Sequence, residues 1–404
     1  MLSSRTIEIV KSTVPVLGEH GTAITKRFYT IMFEAHPELL NIFNHVNQSQ
    51  HRQPTALANV VYAAAANIDK LETLLPVVKQ IGHKHRALNV KPEHYPIVGK
   101  YLLMAIKDVL GDAATDEIIS AWGEAYGVIA NVFIQVEDDM YKEAEQQPGG
   151  WSDYRPFIVM RKVQETEFIT SFYLKPHDNA PIAHFAPGQY ITVRVKPDGS
   201  ANTHLRHYSL SLAPGGDLYR ITVKREGAND NKAGGIVSCY LHDAVHVGDT
   251  LELTPPAGDF TLAQDKSTPV VLISGGVGLT PMVSMLHTLA EQEPARETIY
   301  IHAAKNRNHH ALRNEVDKLS QEHAHVKVLT CYEERAVDTD CDHEGYIDAT
   351  WLKSVLSTDH LAEADFYFCG PVPFMKAINT QLQQLNVAPD RIHYEFFGPS
   401  GTLE

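Results

Sequence analysis

Four cysteines are all that the 404-residue chain contains, Cys239, Cys331, Cys341 and Cys369, and no two of them form a C-x-x-C pair. Such spacing builds neither a zinc site nor a disulfide framework, so a reducing, cytoplasmic setting is expected. Long apolar runs are missing too. Nothing approaches the roughly 20 residues of a membrane span, and the opening Met1-Leu2-Ser3-Ser4-Arg5 has no secretory apolar core, so a soluble chain without membrane anchoring is expected. Positive charge is short, with 35 Lys and Arg against 49 Asp and Glu for a formal net charge of −14. No basic stripe offsets it, which argues against nucleic acid as a partner and leaves phosphate-bearing ligands to local dipoles and a few cations.

Apolar residues make up 44% and charged residues 21%, enough to build packed cores in a chain well beyond one domain of roughly 150 residues. Histidine is plentiful at 22, a reason to look for a metal or cofactor. Periodicity breaks at the turn-rich Gln146-Gln147-Pro148-Gly149-Gly150. Before it the apolar spacing is helical. After it, Ile191-Thr192-Val193-Arg194-Val195-Lys196, Ile221-Thr222-Val223 and Leu251-Glu252-Leu253-Thr254 alternate as half-buried antiparallel strands do. From Thr268 onward short apolar runs (Val270 to Ile273, Thr298 to Ile301, Val326 to Leu329, Phe366 to Phe368) alternate with helix-like segments, the pattern of βαβ units. The expected architecture is therefore multi-domain: all-α over 1–147, an antiparallel β-barrel or sandwich over 151–262, and an α/β parallel sheet over 267–404.

In the helical part, Leu74, Val77, Ile81, His85 and Leu88 follow i+3 and i+4 steps, which puts an imidazole on an apolar face. On spacing alone a hydrogen-bonded core histidine is the commoner explanation of His85. His83 falls on nearly the opposite face. The helix after Gln53-Pro54 carries Leu57, Val61, Ala64 and Ile68 on one face, with Gln53 extending it and proline suited to a first turn. Tyr29, beside Phe28 in a helix containing Thr22 to Glu34, suits a pocket or an ordinary core. Ala130, Phe133 and Glu137 share a helix face.

In the barrel region, Arg206-His207-Tyr208-Ser209 offers a cation for a pyrophosphate, an aromatic plane and a hydroxyl. Strict alternation puts Arg206 and Tyr208 on one face and Ser209 on the other. Gly234-Gly235-Ile236-Val237-Ser238 precedes a helical segment whose N-terminus can receive a diphosphate. Ser274-Gly275-Gly276-Val277-Gly278-Leu279-Thr280-Pro281 follows an apolar strand and opens a helix, so main-chain amides can approach a pyrophosphate there. Cys369-Gly370-Pro371 follows the strand Phe366 to Phe368. Lys305, Asn306 and Arg307 stand where an acid would hold a ribose hydroxyl, which leaves NADH against NADPH open.

The combination of Tyr29, Gln53, Leu57, Lys84-His85, Lys91-Pro92-Glu93-His94-Tyr95 and the run Ala125 to Ile134 leading to Glu137 resembles a bacterial globin. The R-x-Y-S run resembles the flavin signature of ferredoxin-NADP reductases, and the whole chain resembles the flavohaemoglobin family, a globin fused to such a reductase. The resemblance implies haem b with His85 as the iron's proximal ligand and Lys84 beside it among the cofactor contacts. It implies Tyr95 and Glu137 in a relay with His85, and Tyr29, Gln53 and Leu57 on the O2 side. FAD would be held by Tyr190, Arg206, His207, Tyr208, Ser209, Gly234, Gly235 and Ser238, and closed by the tail Glu395-Phe396-Phe397-Gly398-Pro399. NAD(P)H would meet Gly275, Gly276, Val277, Gly278, Leu279, Thr280 and Pro281, together with Cys369, Gly370 and Pro371. The implied activity is nitric oxide dioxygenation, in which NO and O2 become nitrate with electrons passing from NAD(P)H through FAD to haem iron. Detoxification of NO by a cytoplasmic monomer is expected. Two alternatives remain: a haem-flavin reductase of alkyl hydroperoxides or O2, and an O2-storing or O2-sensing globin kept reduced by its own flavin module.

Overall fold

The computed structural model describes residues 2–43, 52–228, 234–264, 266–334, 341–398 and 403. Its first part is helical. Long helices span Val14–Ala35, Arg52–Ala66, Leu75–Ala87, His94–Leu110 and Asp116–Gln146, after a short N-terminal one, Ser4–Ser12. Thr115 caps the last of them by accepting from Ile118 N–H, with Asp116 and Glu117 complementing the helix dipole in the first turn. Val14–Ala35 crosses Arg52–Ala66 closely, because a Cβ on Gly21 would lie 3.5 Å from Ala58 Cβ, and Thr25 Oγ1 donates to Pro54 O at 2.8 Å. That contact sets where Gln53 and Leu57 begin.

The expected face of the histidine helix opens onto an apolar pocket: Leu74, Val77 and Ile81 line it together with Val60, Ala64 and Phe133, while Val78 and Gly82 are the covered positions. The chain enters this helix through a 3-10 turn, Leu71–Leu74. His83, on the opposite side, loses water as well, since its ring sits near Asp259 of the next domain and burial lowers its pKa.

Six antiparallel strands follow: β1 (Arg155–Gln164), β2 (Ile169–Pro176), β3 (Tyr190–Val195), β4 (His204–Ser209), β5 (Tyr219–Lys224) and β6 (Thr250–Leu253). Their order is β4-β3-β6-β1-β2-β5, and a bridge between Leu210 and Ile221 brings the two edges together into a barrel. Its core holds Phe157, Phe172, Ile191, Val193, Tyr219 and Ile221. The helix Ile236–Asp243 closes one end.

The last part is a six-stranded parallel sheet of β7 (Val270–Gly275), β8 (Thr298–Ala304), β9 (Val326–Tyr332), β10 (His343–Glu344), β11 (Asp365–Cys369) and β12 (Ile392–Glu395). The order β10-β9-β8-β7-β11-β12 reverses between β7 and β11. Ligands bind at such a switch point, outside the carboxyl ends of the strands. Every residue of β7 and β11 is buried, as a sheet covered by helices on both faces requires. Among the described residues no helix is long and apolar enough to cross a membrane.

Candidate functional site

His85 sits in the last turn of Leu75–Ala87, and its Nδ1 lies 2.7 Å from Glu137 Oε1 and 3.2 Å from Tyr95 OH. Tyr95 OH donates to the same Glu137 oxygen at 2.6 Å. The expected trio is therefore assembled. Glu137 keeps only 4% of its side-chain surface while His85 keeps 33%, so the carboxylate is enclosed and the imidazole stays accessible. A carboxylate at Nδ1 holds the proton there and leaves Nε2 with its lone pair, the form in which imidazole ligates a metal. Burial first, and then the Glu137 charge, push the Tyr95 phenol well above its ordinary range, so it remains a hydrogen-bond donor. Tyr126 steadies Tyr95 from behind by donating to its carbonyl at 2.7 Å, a role not read from sequence.

Across the fold Tyr29 is 7% exposed and packs its ring against Phe28, Phe33 and Phe43 at 4.7, 5.7 and 5.8 Å. Leu57 borders the same cluster, and Gln53 stands one turn before it, half-buried. His85, Tyr95 and Glu137 thus form one group, and Tyr29, Gln53 and Leu57 another on different helices.

On the barrel, β3 and β4 pair without a bulge, Tyr190 opposite Ser209, Thr192 opposite His207 and Val193 opposite Arg206. Directly opposed residues share a face, so Tyr190, His207 and Ser209 lie on one side and Arg206 and Tyr208 on the other, as alternation predicts. The Tyr190 and His207 rings meet at a tilt of 38° with centroids 4.7 Å apart, and His207 Nδ1 meets Thr192 Oγ1 at 2.8 Å. Gly235 N–H donates to Glu226 O at 2.7 Å just before the helix Ile236–Asp243, and Ser238 Oγ accepts from Glu226 N–H. The helix's opening amides, Ser238 among them, have no acceptor within the helix.

In the parallel sheet, Cys369 pairs in register with Ser274 on one side and Glu395 on the other, which draws three loops together. Gly278 makes this possible: a Cβ there would lie 2.2 Å from Cys369 O. Gly276 takes φ +54°, a left-handed conformation that favours glycine. Leu279, Thr280 and Pro281 are buried, so the accessible part of the loop is Gly276 and Val277. Gly275 and Gly370 both pack against the Phe374 ring, and Pro371 caps the helix Val372–Gln384. Cys369 is buried and its thiol pKa raised by desolvation, which suits a small packing group more than a nucleophile.

The tail ties the domains. Lys84 Nζ donates to Gly398 O at 3.2 Å, and Glu395 lies close enough to feel the ammonium. Burial raises the Glu395 pKa to about 8, against the lowering effect of Lys84. Phe396 packs on the sheet while Phe397 is 49% exposed. Pro399 lies outside the described residues. Arg86, not anticipated from sequence, is 6% exposed and donates to Pro256 O of the barrel at 2.5 Å. A cation beside His85 in a helix's last turn reads as a dipole partner; only the neighbouring domain makes it an interface residue.

Fold and site together define a globin joined to a flavin- and nicotinamide-dependent reductase. Residues 26–133 match the Globin family, 157–262 the Oxidoreductase FAD-binding domain and 272–380 the Oxidoreductase NAD-binding domain. The chain is 56% identical to the flavohemoprotein of Bacillus thuringiensis over the full length of both, and 49% identical to flavohemoprotein A of Dictyostelium discoideum over 98% of each. A crystal structure of Malassezia yamatoensis flavohemoglobin with bound FAD and heme superposes with a TM-score of 0.85 at 29% identity, covering 98% of this chain and 100% of that one. The FAD/NAD-binding domain of Vibrio cholerae nitric oxide dioxygenase aligns at 40% identity and a TM-score of 0.56, over 61% of this chain and 100% of that one. The chain belongs to the flavohemoprotein family.

Haem, FAD and a nicotinamide dinucleotide are the groups its domains carry, and the residues present fit them. Among the described residues no three His, Cys, Asp or Glu side chains cluster to hold a bare metal ion, so the metal expectation rests on one imidazole, the number a porphyrin-bound iron needs on its proximal side. At the flavin side Tyr190 OH and Glu395 Oε2 are buried without a protein partner. Such groups call for a polar ligand.

Proposed function

We propose that this flavohemoprotein is an NAD(P)H-dependent nitric oxide dioxygenase that turns NO and O2 into nitrate and so detoxifies NO. The observation that carries the reading is the shared oxygen of Glu137, 2.7 Å from His85 Nδ1 and 2.6 Å from Tyr95 OH. When bound, the haem, flavin and nicotinamide groups would supply the redox chemistry that links a two-electron hydride donor to one-electron iron.

The chain's residues do the rest. His85 would hold the haem iron, and Glu137, fixed by Tyr95, would accept from Nδ1 and make the imidazole more electron-donating. A carrier gains little from such a ligand, while an oxygen-activating enzyme needs it. Tyr29 and Gln53 would donate toward O2, and Leu57 would limit the space open to larger reactants. Tyr190, His207 and Ser209 from one face of β3 and β4, and Arg206 and Tyr208 from the other, would orient the flavin, with the amides after Gly235 receiving its diphosphate. Gly276 and Val277 let the dinucleotide approach the main chain, and Cys369, Gly370 and the tail Glu395 to Gly398 shape the crevice between nicotinamide and flavin. Lys84 links that tail to the helix bearing His85.

The test is nitrate production by purified, cofactor-loaded protein. NADH consumption should rise when NO and O2 are supplied together, with nitrate as the product. Unchanged consumption, or consumption that rises only with alkyl hydroperoxide, would overturn the proposal.

A further inference from the structure

Arg220, on β5, is 1% exposed and uses every guanidinium nitrogen. Nε donates to Ser211 Oγ at 2.9 Å, one terminal nitrogen to Ser211 O and to Glu315 Oε1 at 2.7 Å, and the other to Glu315 Oε2 at 2.6 Å and Tyr173 OH at 3.3 Å. Ser211 follows the flavin motif by two residues. Glu315 belongs to the nicotinamide domain, on the helix Arg313–Glu322, and its Oε1 also meets His287 Nε2 at 2.5 Å. His287 lies on Leu279–Gln292, the helix that springs from the dinucleotide loop. Ser284 on that helix donates to Leu212 O at 2.7 Å. A polar chain therefore runs from the flavin strand through Ser211, Arg220 and Glu315 to His287, on the helix that follows the loop Gly276–Gly278.

Burial alone would raise the Glu315 pKa, yet His287 and Arg220 outweigh it and hold the carboxyl at about 2, so the pair stays charged. A buried ion pair adds little stability over apolar side chains of the same volume. What a two-pronged guanidinium–carboxylate contact adds is a fixed relative orientation. We propose that Arg220 and Glu315 are positioning residues that set how the nicotinamide domain meets the flavin strand, and so the geometry in which dihydronicotinamide passes its hydride, both electrons together, to the flavin. The proposal rests on the FAD- and NAD-binding domains and not on the reaction with NO.

The test uses the full-length, haem- and FAD-loaded protein with Glu315→Gln. FAD and haem content and NADH affinity should stay near wild type, while the limiting rate of anaerobic flavin bleaching by NADH falls about tenfold or more, as misplacement by an ångström permits. With NADH deuterated at the transferred position, the isotope effect on that rate should rise. A second variant, Arg220→Met with Glu315→Leu, removes both charges of the pair while His287 keeps Glu291 at 3.5 Å, and should regain the wild-type melting temperature without regaining the rate. Wild-type bleaching in either variant overturns the proposal, as does a loss of rate that merely follows loss of FAD. Should the single variant not fold, the double one decides alone on the same two readings. Wild-type protein that bleaches with NADH yet forms no nitrate would sink the nitric oxide reading and leave this one standing.

Discussion

Glu137 and His85 meet at 2.7 Å, fifty-two residues apart in the chain, and Tyr95 approaches the same carboxylate oxygen from a third helix. Three helices thus converge on one imidazole nitrogen, and its contact with Glu137 is held in an enclosed site. Glu137→Gln should keep the haem but hold the imidazole less strongly. We expect a higher iron reduction potential and activity lower by about tenfold to a hundredfold, as loss of such support commonly gives. Spectroelectrochemical titration checks the first and nitrate formation the second; an unmoved potential would show that Glu137 is only packing.

Tyr29→Phe preserves the ring contacts with Phe28, Phe33 and Phe43 and removes one hydroxyl. Loss of a hydrogen bond in a dry pocket costs about 1–3 kcal/mol. The O2 dissociation rate measured by flash photolysis should therefore rise by about tenfold or more. An unchanged rate would remove Tyr29 from the O2 side.

Gly278→Ala places a methyl 2.2 Å from Cys369 O, so the two loops must part. NADH should then reduce the flavin about tenfold more slowly or need more NADH, a loss in keeping with an ångström's displacement. The haem Soret band and its response to dithionite should not change, because the globin core is separate. Stopped-flow absorbance reads both.

Glu395 gives a pH prediction. Burial, the larger cause, raises its carboxyl to about 8, so the folded state binds a proton more tightly than the unfolded chain does. Stability from this group is present below the ordinary carboxylate range and is lost as pH climbs toward about 8. Flavin-free protein should melt at a lower temperature as pH rises through that window, by a few degrees, and Glu395→Gln should flatten the slope. Equal slopes in both proteins would contradict the assignment.

Much of this was legible in the sequence where local rules govern. The strict alternation of Ile191 to Lys196 announced β3, and the glycines after Val270 to Ile273 announced the loop that Gly278 now seats against Cys369. Position 85 alone was ambiguous, because i+3 and i+4 spacing cannot separate a ligand from a core histidine; the Glu137 and Tyr95 contacts come from other helices. Leu74, Val77 and Ile81 share the face that their spacing gave them, and the pocket they line is formed with other helices. Arg86, Arg220 and Glu315 carry no mark of their contacts in the sequence, since a charged side chain in sequence does not show which domain will cover it.

Electrons entering at the nicotinamide crevice should reach iron at His85 within one chain. Anaerobic stopped-flow mixing of NADH with the fully loaded protein tests it most directly. The flavin band should bleach first and the haem Soret band then shift to its ferrous position, at a rate that does not change with protein concentration. A Soret band that never shifts, or one whose rate grows in proportion to protein concentration, would contradict the account.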